Sequence, residues 1–135
     1  MCDSDGMYSG SAGRAREQIV EMPDYCTVEA AMDVVGGKWK LAILNHLFAG
    51  TQRFGELNKA MPRITPRMLT RQLRELEADG LVRRTVYPQV PPKVEYSLTE
   101  IGRSLEEIAG LLEDWGHYYR ERLTSPENPP GQTSQ

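Results

Sequence analysis

The segment Thr65-Pro66-Arg67-Met68-Leu69-Thr70-Arg71-Gln72-Leu73-Arg74-Glu75-Leu76 most restricts what this chain of 135 residues can fold into. Thr65 can place its hydroxyl on the open amides of a first helical turn. Pro66 suits the first helical position, where its missing N–H costs nothing. Leu69, Leu73 and Leu76 then recur at helical spacing and are expected to face a core. Thr65, Arg67, Thr70, Arg71 and Arg74 fall on the remaining face. Taken alone, such a helix is either a solvated surface element or a cationic reading surface. Its neighbours decide between the two.

A first helix is predicted over Thr27 to Val35, ending at Gly36-Gly37, and a second from about Lys38 to Ala49. The second has a broad apolar face of Trp39, Ile43, Leu44, Leu47 and Phe48. Gln52-Arg53-Phe54 suits a short strand leading into a third helix, Gly55 to Ala60, with Phe54, Leu57 and Met61 at buried spacing. Pro62 keeps this helix from fusing with the one that follows. The helix from Pro66 is expected to stop near Asp79-Gly80. Two strands come next, Leu81 to Tyr87 and Lys93 to Leu98. In the first, Val82 and Val86 alternate with Arg83 and Thr85. Between the strands, Pro88-Gln89-Val90-Pro91-Pro92 forms a stiff loop. Thr99 is the expected N-cap of a last helix, from Glu100 to about Leu123.

A short helix, a turn, a basic helix and a hairpin, in that order, define a winged helix-turn-helix. The fold class is mainly α with a small antiparallel β-hairpin (α+β), with N- and C-terminal dimerisation helices added. The overall charge of −3 argues against a polyanionic partner, but its distribution does not. Residues 63–93 carry seven basic groups against three acidic ones, the footprint that double-stranded DNA requires. Residues 1–24 are expected to form a flexible arm, residues 25–123 the folded domain, and residues 124–135 a disordered tail. No apolar run approaches the ~20 residues that span a bilayer. No secretory signal is evident, and the two cysteines suggest no disulfide framework, so a cytoplasmic location without membrane contact is expected.

The last helix bears on assembly. Ile101, Leu105, Ile108, Leu112, Trp115 and Tyr119 follow a coiled-coil spacing. A helix of that length runs ~35 Å at 1.5 Å per residue, more than a small head covers. A second copy of the chain would bury the surplus, and Val28 and Met32 on the first helix offer a complementary stripe. Packing within one chain is the alternative.

Several of these segments are familiar together. Cys26-Thr27-Val28-Glu29, Gly36-Gly37-Lys38-Trp39-Lys40 and Arg53-Phe54-Gly55-Glu56-Leu57 resemble successive motifs of the HxlR family of bacterial winged-helix regulators. Ile64 to Thr70, Leu73 to Glu77, Asp79 to Val82, Tyr87, Val90-Pro91-Pro92 and Val94 to Thr99 continue the resemblance, which spans about Cys26 to Tyr119. That family is similar in fold to MarR-type regulators, and the resemblance implies a dimeric transcription factor. It also implies, for some members, sensing of electrophiles or oxidants through a cysteine near the first helix, the position that Cys26 occupies. Lys93 stands where the family often has arginine; lysine keeps the charge but loses the bidentate fork.

The expected function is sequence-specific DNA binding, as a homodimeric repressor on an inverted-repeat operator. Arg67, Thr70, Arg71 and Arg74 would enter the major groove, while Thr65, Pro66 and the helix N-terminus would hold a phosphate. Gln89 and Lys93 near the wing tip, and Arg53 before the third helix, would meet the minor groove or flanking phosphates. At a helix start, the amide dipoles would favour a Cys26 thiolate; a buried structural cysteine is the competing reading. The inducer would be a reactive electrophile or a small molecule bound at the dimer interface. A protein–protein module is the rival function. No enzyme activity, cofactor or metal is expected. Gly36-Gly37-Lys38-Trp39 lacks phosphate-loop spacing, and His46 and His117 have no partners at ligand spacing.

Overall fold

A computed structural model of the protein describes residues 27–125. The elements run α1 (Thr27–Val35), α2 (Lys40–Phe48), β1 (Gln52–Arg53), α3 (Phe54–Ala60), α4 (Pro66–Ala78), β2 (Val82–Tyr87), β3 (Lys93–Leu98), α5 (Glu100–Arg103) and α6 (Glu106–Thr124). They fall into two compact units, one ending at Ser104 and the other beginning at Leu105. The expected arm of residues 1–24 lies outside the described residues, as do residues 126–135 of the expected tail 124–135, whose first residue, Thr124, is the last of α6. No helix among the described residues is long and apolar enough to cross a membrane.

The first unit is built around leucine. Ile43, Leu44 and Leu47 of α2, Leu57 of α3 and Leu69, Leu73 and Leu76 of α4 are all buried, with Leu81, Val82, Tyr96 and Leu98 from the sheet side. Burying each such side chain contributes about 1.5–3 kcal/mol, so this cluster is the main term holding the three helices to the sheet. The predicted stripe on α4 is the buried one. Trp39 and Phe48, expected on the same face of α2 as Ile43 and Leu47, are only half-buried.

The hairpin predicted from sequence is present, and β1 adds a third strand. All three are antiparallel in the order β1-β3-β2. Gln52 pairs with Tyr96 and Arg53 with Glu95, while β2 and β3 run in register from Val82 opposite Leu98 to Tyr87 opposite Lys93. Only the base of the hairpin joins the core. Val82 is buried, whereas Val86, expected on the same face, is exposed. Four residues along a strand cover about 13 Å, which carries Val86 past the helices.

The end of α4 follows a complete Schellman pattern. Leu81 N–H donates to Leu76 C=O at 2.9 Å, and Gly80 N–H donates to Glu77 C=O at 3.0 Å. Gly80 takes φ +83° to allow it, and the apolar partners Leu76 and Leu81 are both buried. This turn also seats α5. Thr99 N–H donates to Leu81 C=O, and Thr99 Oγ1 donates to Gly80 C=O at 2.6 Å.

The expected continuous last helix is interrupted. Ser104 and Leu105 have ψ of −13° and −4°, tightening the chain between α5 and α6. Thr99 caps α5 by accepting from Gly102 N–H, and Ser104 Oγ donates back to Ile101 C=O. A side chain at Gly102 would collide with the Leu81 carbonyl, so α5 is pinned to the turn after α4. Ile101, expected at the head of the same helix, belongs to the separate short helix α5 and is exposed.

Replacing Gly80 by alanine forces an L-residue into the left-handed region. Gly80→Ala should lower unfolding free energy by about 1–2 kcal/mol, read from urea denaturation at fixed protein concentration.

Candidate nucleic-acid interface

Met61 and Ile64, both buried, anchor the turn between α3 and α4, and Ile64 N–H donates to Met61 C=O at 3.2 Å. At the start of α4, Thr65 is extended (φ −76°, ψ 153°) and its Oγ1 accepts from Met68 N–H at 3.1 Å. Pro66 occupies the first turn, as its fixed φ allows. Further along, Arg67, Arg71 and Arg74 are exposed on the face opposite the leucines. The Thr70 hydroxyl donates to Pro66 C=O at 2.9 Å, so it can offer a ligand only its acceptor side.

Arg67, Thr70, Arg71, Arg74 and Glu75 line one open depression. The four residues expected in the major groove are thus brought together. Glu75 is the addition that sequence reading missed. One carboxylate oxygen, Oε1, lies 2.7 Å from Lys40 Nζ, and Oε2 accepts from Arg71 Nε at 3.3 Å. The Arg71–Glu75 spacing of four was a readable signal. The Lys40 contact, which joins the first residue of α2 to the end half of α4, was not.

Arg53, Gln89 and Lys93 do not line this depression. Arg53 is exposed, and its backbone N–H donates to Glu56 Oε1 at 2.7 Å, capping α3. Gln89 sits at the wing tip beside Val90, which is 99% exposed. Lys93 is folded back on the hairpin. Its Nζ lies 3.3 Å from Glu95 Oε2 and 4.9 Å above the Tyr87 ring, while Tyr87 Oη donates to Glu95 Oε1 at 3.1 Å. To meet a phosphate it must leave these partners.

Cys26 lies outside the described residues, one position before α1. On α1, Val28 and Met32 are exposed, and burial pushes the Asp33 carboxyl above its ordinary 3.8. On α6, Ile108, Leu112, Trp115 and Tyr119 are exposed, and Leu105, just before it, is half-buried; the Trp115 and Tyr119 rings stack with centroids 5.1 Å apart. Among the described residues no group of three or more His, Cys, Asp or Glu could hold a metal. Gly36-Gly37 acts as a helix end, with Gly36 N–H donating to Met32 C=O and Gly37 at φ +98°.

A short helix, a fixed turn, an arginine-faced second helix and a three-stranded wing define a winged helix-turn-helix protein. Residues 34–124 match the HxlR-like helix-turn-helix family, so the chain belongs to that family of transcriptional regulators. It is 56% identical over 102 residues to the HTH-type transcriptional regulator YdeP of Bacillus subtilis (strain 168), across 76% of this chain and 80% of the relative. Among solved structures it is similar to the redox regulator HypR in its reduced form, with 56% identity and TM-score 0.70 over 73% of this chain and 97% of that one. It is also similar to the reduced form of the transcriptional regulator YodB from B. subtilis, with 32% identity and TM-score 0.61 over 75% and 96%.

Proposed function

We propose that the protein is a cytoplasmic homodimeric repressor that places α4 of each copy in successive major grooves of an inverted-repeat operator. The observation that carries this reading is the gathering of Arg67, Thr70, Arg71 and Arg74 in one solvent-facing depression on a capped helix. Thr65, Pro66 and the amides of the first turn hold a phosphate, which sets the register of the helix on the duplex. The wing residues Gln89 and Lys93, with Arg53, contact flanking backbone.

Dimerisation is supported by the apolar residues left exposed on both terminal helices. Leu111, Leu112, Trp115 and Tyr118 of α6 are each half or more exposed, as are Val28 and Met32 of α1. Apolar surface of this extent on a soluble chain marks an interaction face. The full chain should sediment as a dimer, and Leu112→Glu should shift it to monomer and abolish cooperative operator binding. A Leu112→Glu chain that remains dimeric would remove α6 from the interface.

For the signal, we infer that Cys26 reacts with electrophiles. The reading is supported by its position in the sequence, immediately before the first residue of α1, and by the likeness to a redox regulator. Its thiolate adds to a ring carbon of a quinone; a C–S bond forms, and the ring takes the electron pair and a proton to become a hydroquinone thioether. In a reporter strain, Cys26→Ser should abolish derepression by a quinone. Full derepression in that variant would end the sensor role.

Footprinting on the promoter region beside the protein's own coding sequence tests DNA binding directly. Two protected half-sites about 34–36 Å apart are expected. Arg71→Ala should weaken binding by about 1–3 kcal/mol, measured by fluorescence anisotropy at fixed salt. Affinity that does not fall with rising salt would instead favour a winged helix used for protein contact.

A further inference from the structure

An acidic residue in a depression meant for a polyanion needs a physical reason, because a carboxylate there repels phosphate. Glu75 has both of its oxygens occupied. Oε1 faces the Lys40 ammonium at 2.7 Å and Oε2 accepts from Arg71 Nε at 3.3 Å. The three side chains differ sharply in exposure: Lys40 is 9% exposed, Glu75 20% and Arg71 72%. Lys40 is thus a buried cation that offers no surface to a ligand. It balances the Glu75 charge in place and ties α4 to the first turn of α2.

Helix stability does not explain the Arg71–Glu75 pair. Arginine preceding glutamate by four residues is the less favourable order against the helix dipole, and an exposed pair of this kind contributes little. Orientation is the better reason. The contact engages Nε alone, so both Nη groups of Arg71 remain available to an outside acceptor. A phosphate can be met by a loosely held guanidinium, because the interaction is dominated by charge. A base edge requires the plane of the fork to be set, and guanine presents the matching acceptor pair, O6 and N7.

We propose that Glu75, clamped by the buried Lys40 ammonium, is a positioning residue that orients the Arg71 guanidinium to read a guanine. The proposal rests on α4 being the DNA-reading helix. Each Glu75 oxygen already faces a cation, so its part in the proposal is to hold Arg71 rather than to accept from a base. The network also keeps the local charge at one net positive, so orientation is gained without making the depression neutral.

A duplex library with a randomised core, selected by the full wild-type chain and then by Arg71→Ala, Glu75→Gln and the double variant, tests this. The wild type should enrich a G·C pair that Arg71→Ala no longer prefers. Glu75→Gln, which keeps the side chain's shape, should reduce preference at that same pair about tenfold and leave other positions within about twofold. The double variant should match Arg71→Ala, because the two residues act as one unit. Affinity for an alternating A·T duplex should be unchanged or tighter, a result that general loss of structure would not produce. Glu75→Asp keeps the charge, is too short to span both cations, and should behave like Glu75→Gln; circular dichroism confirms folding.

Retention of the G·C preference by both Glu75 variants, or equal weakening at every position, would overturn the positioning role while leaving Arg71 a base reader. An Arg71→Ala chain with an unchanged motif would overturn this inference alone, whereas a wild-type chain that enriches no motif would overturn the DNA-reading assignment and this inference with it. The wild-type arm alone reveals that second failure.

Discussion

Burial of Leu69, Leu73 and Leu76 sets the rotation of α4 about its own axis, and the chemistry of the surface depends on that angle. The three side chains are essentially inaccessible, packed in the same core as Ile43, Leu44 and Leu47. Successive helical residues are separated by about 100°, so a slip of one position would turn the leucines outward and drive arginines into the core. Neither change is tolerable energetically: the first loses several buried side chains and the second desolvates charge. The solvent-facing position of Arg67, Arg71 and Arg74 is therefore enforced from the opposite side of the helix.

Axial position is set by different interactions. Thr65 and Pro66 define where α4 begins, and the Gly80 turn defines where it ends. The same turn receives α5 through Thr99 and Gly102, so the helix is held at both termini by backbone hydrogen bonds as well as along its length by packing. Side chains on such an element can be placed with the accuracy that base recognition needs, which a loop could not provide.

The parts of this fold legible in the sequence are those governed by local rules. The bounds of α1, the Thr65 cap, the proline that follows it and the leucine stripe of α4 all depend on residues within a few positions of one another. What escaped depends on partners distant in sequence. Val86 alternates correctly with its neighbours, yet whether it is buried depends on how far the helices extend beneath the hairpin. The seating of α5 depends on Gly102 lying against Leu81, some twenty residues earlier. Lys40 reads as an ordinary surface lysine until Glu75, from another helix, is placed beside it. Among the candidate site residues, the four on α4 shared one face and could be grouped from spacing alone. The engagement of Lys93 by Tyr87 and Glu95 needed the strand register, and Cys26 falls beyond the described residues.

Arg53 belongs to two structures at once. Its backbone pairs with Glu95 in the sheet and also donates the bond that caps α3 through Glu56. Glu95 in turn holds Lys93 and Tyr87. The root of the wing and the first helix of the helix-turn-helix thus share a joint one residue wide. Flexing the hairpin at its base would tug on the N-terminus of α3, which couples the wing to the helix that leads into α4.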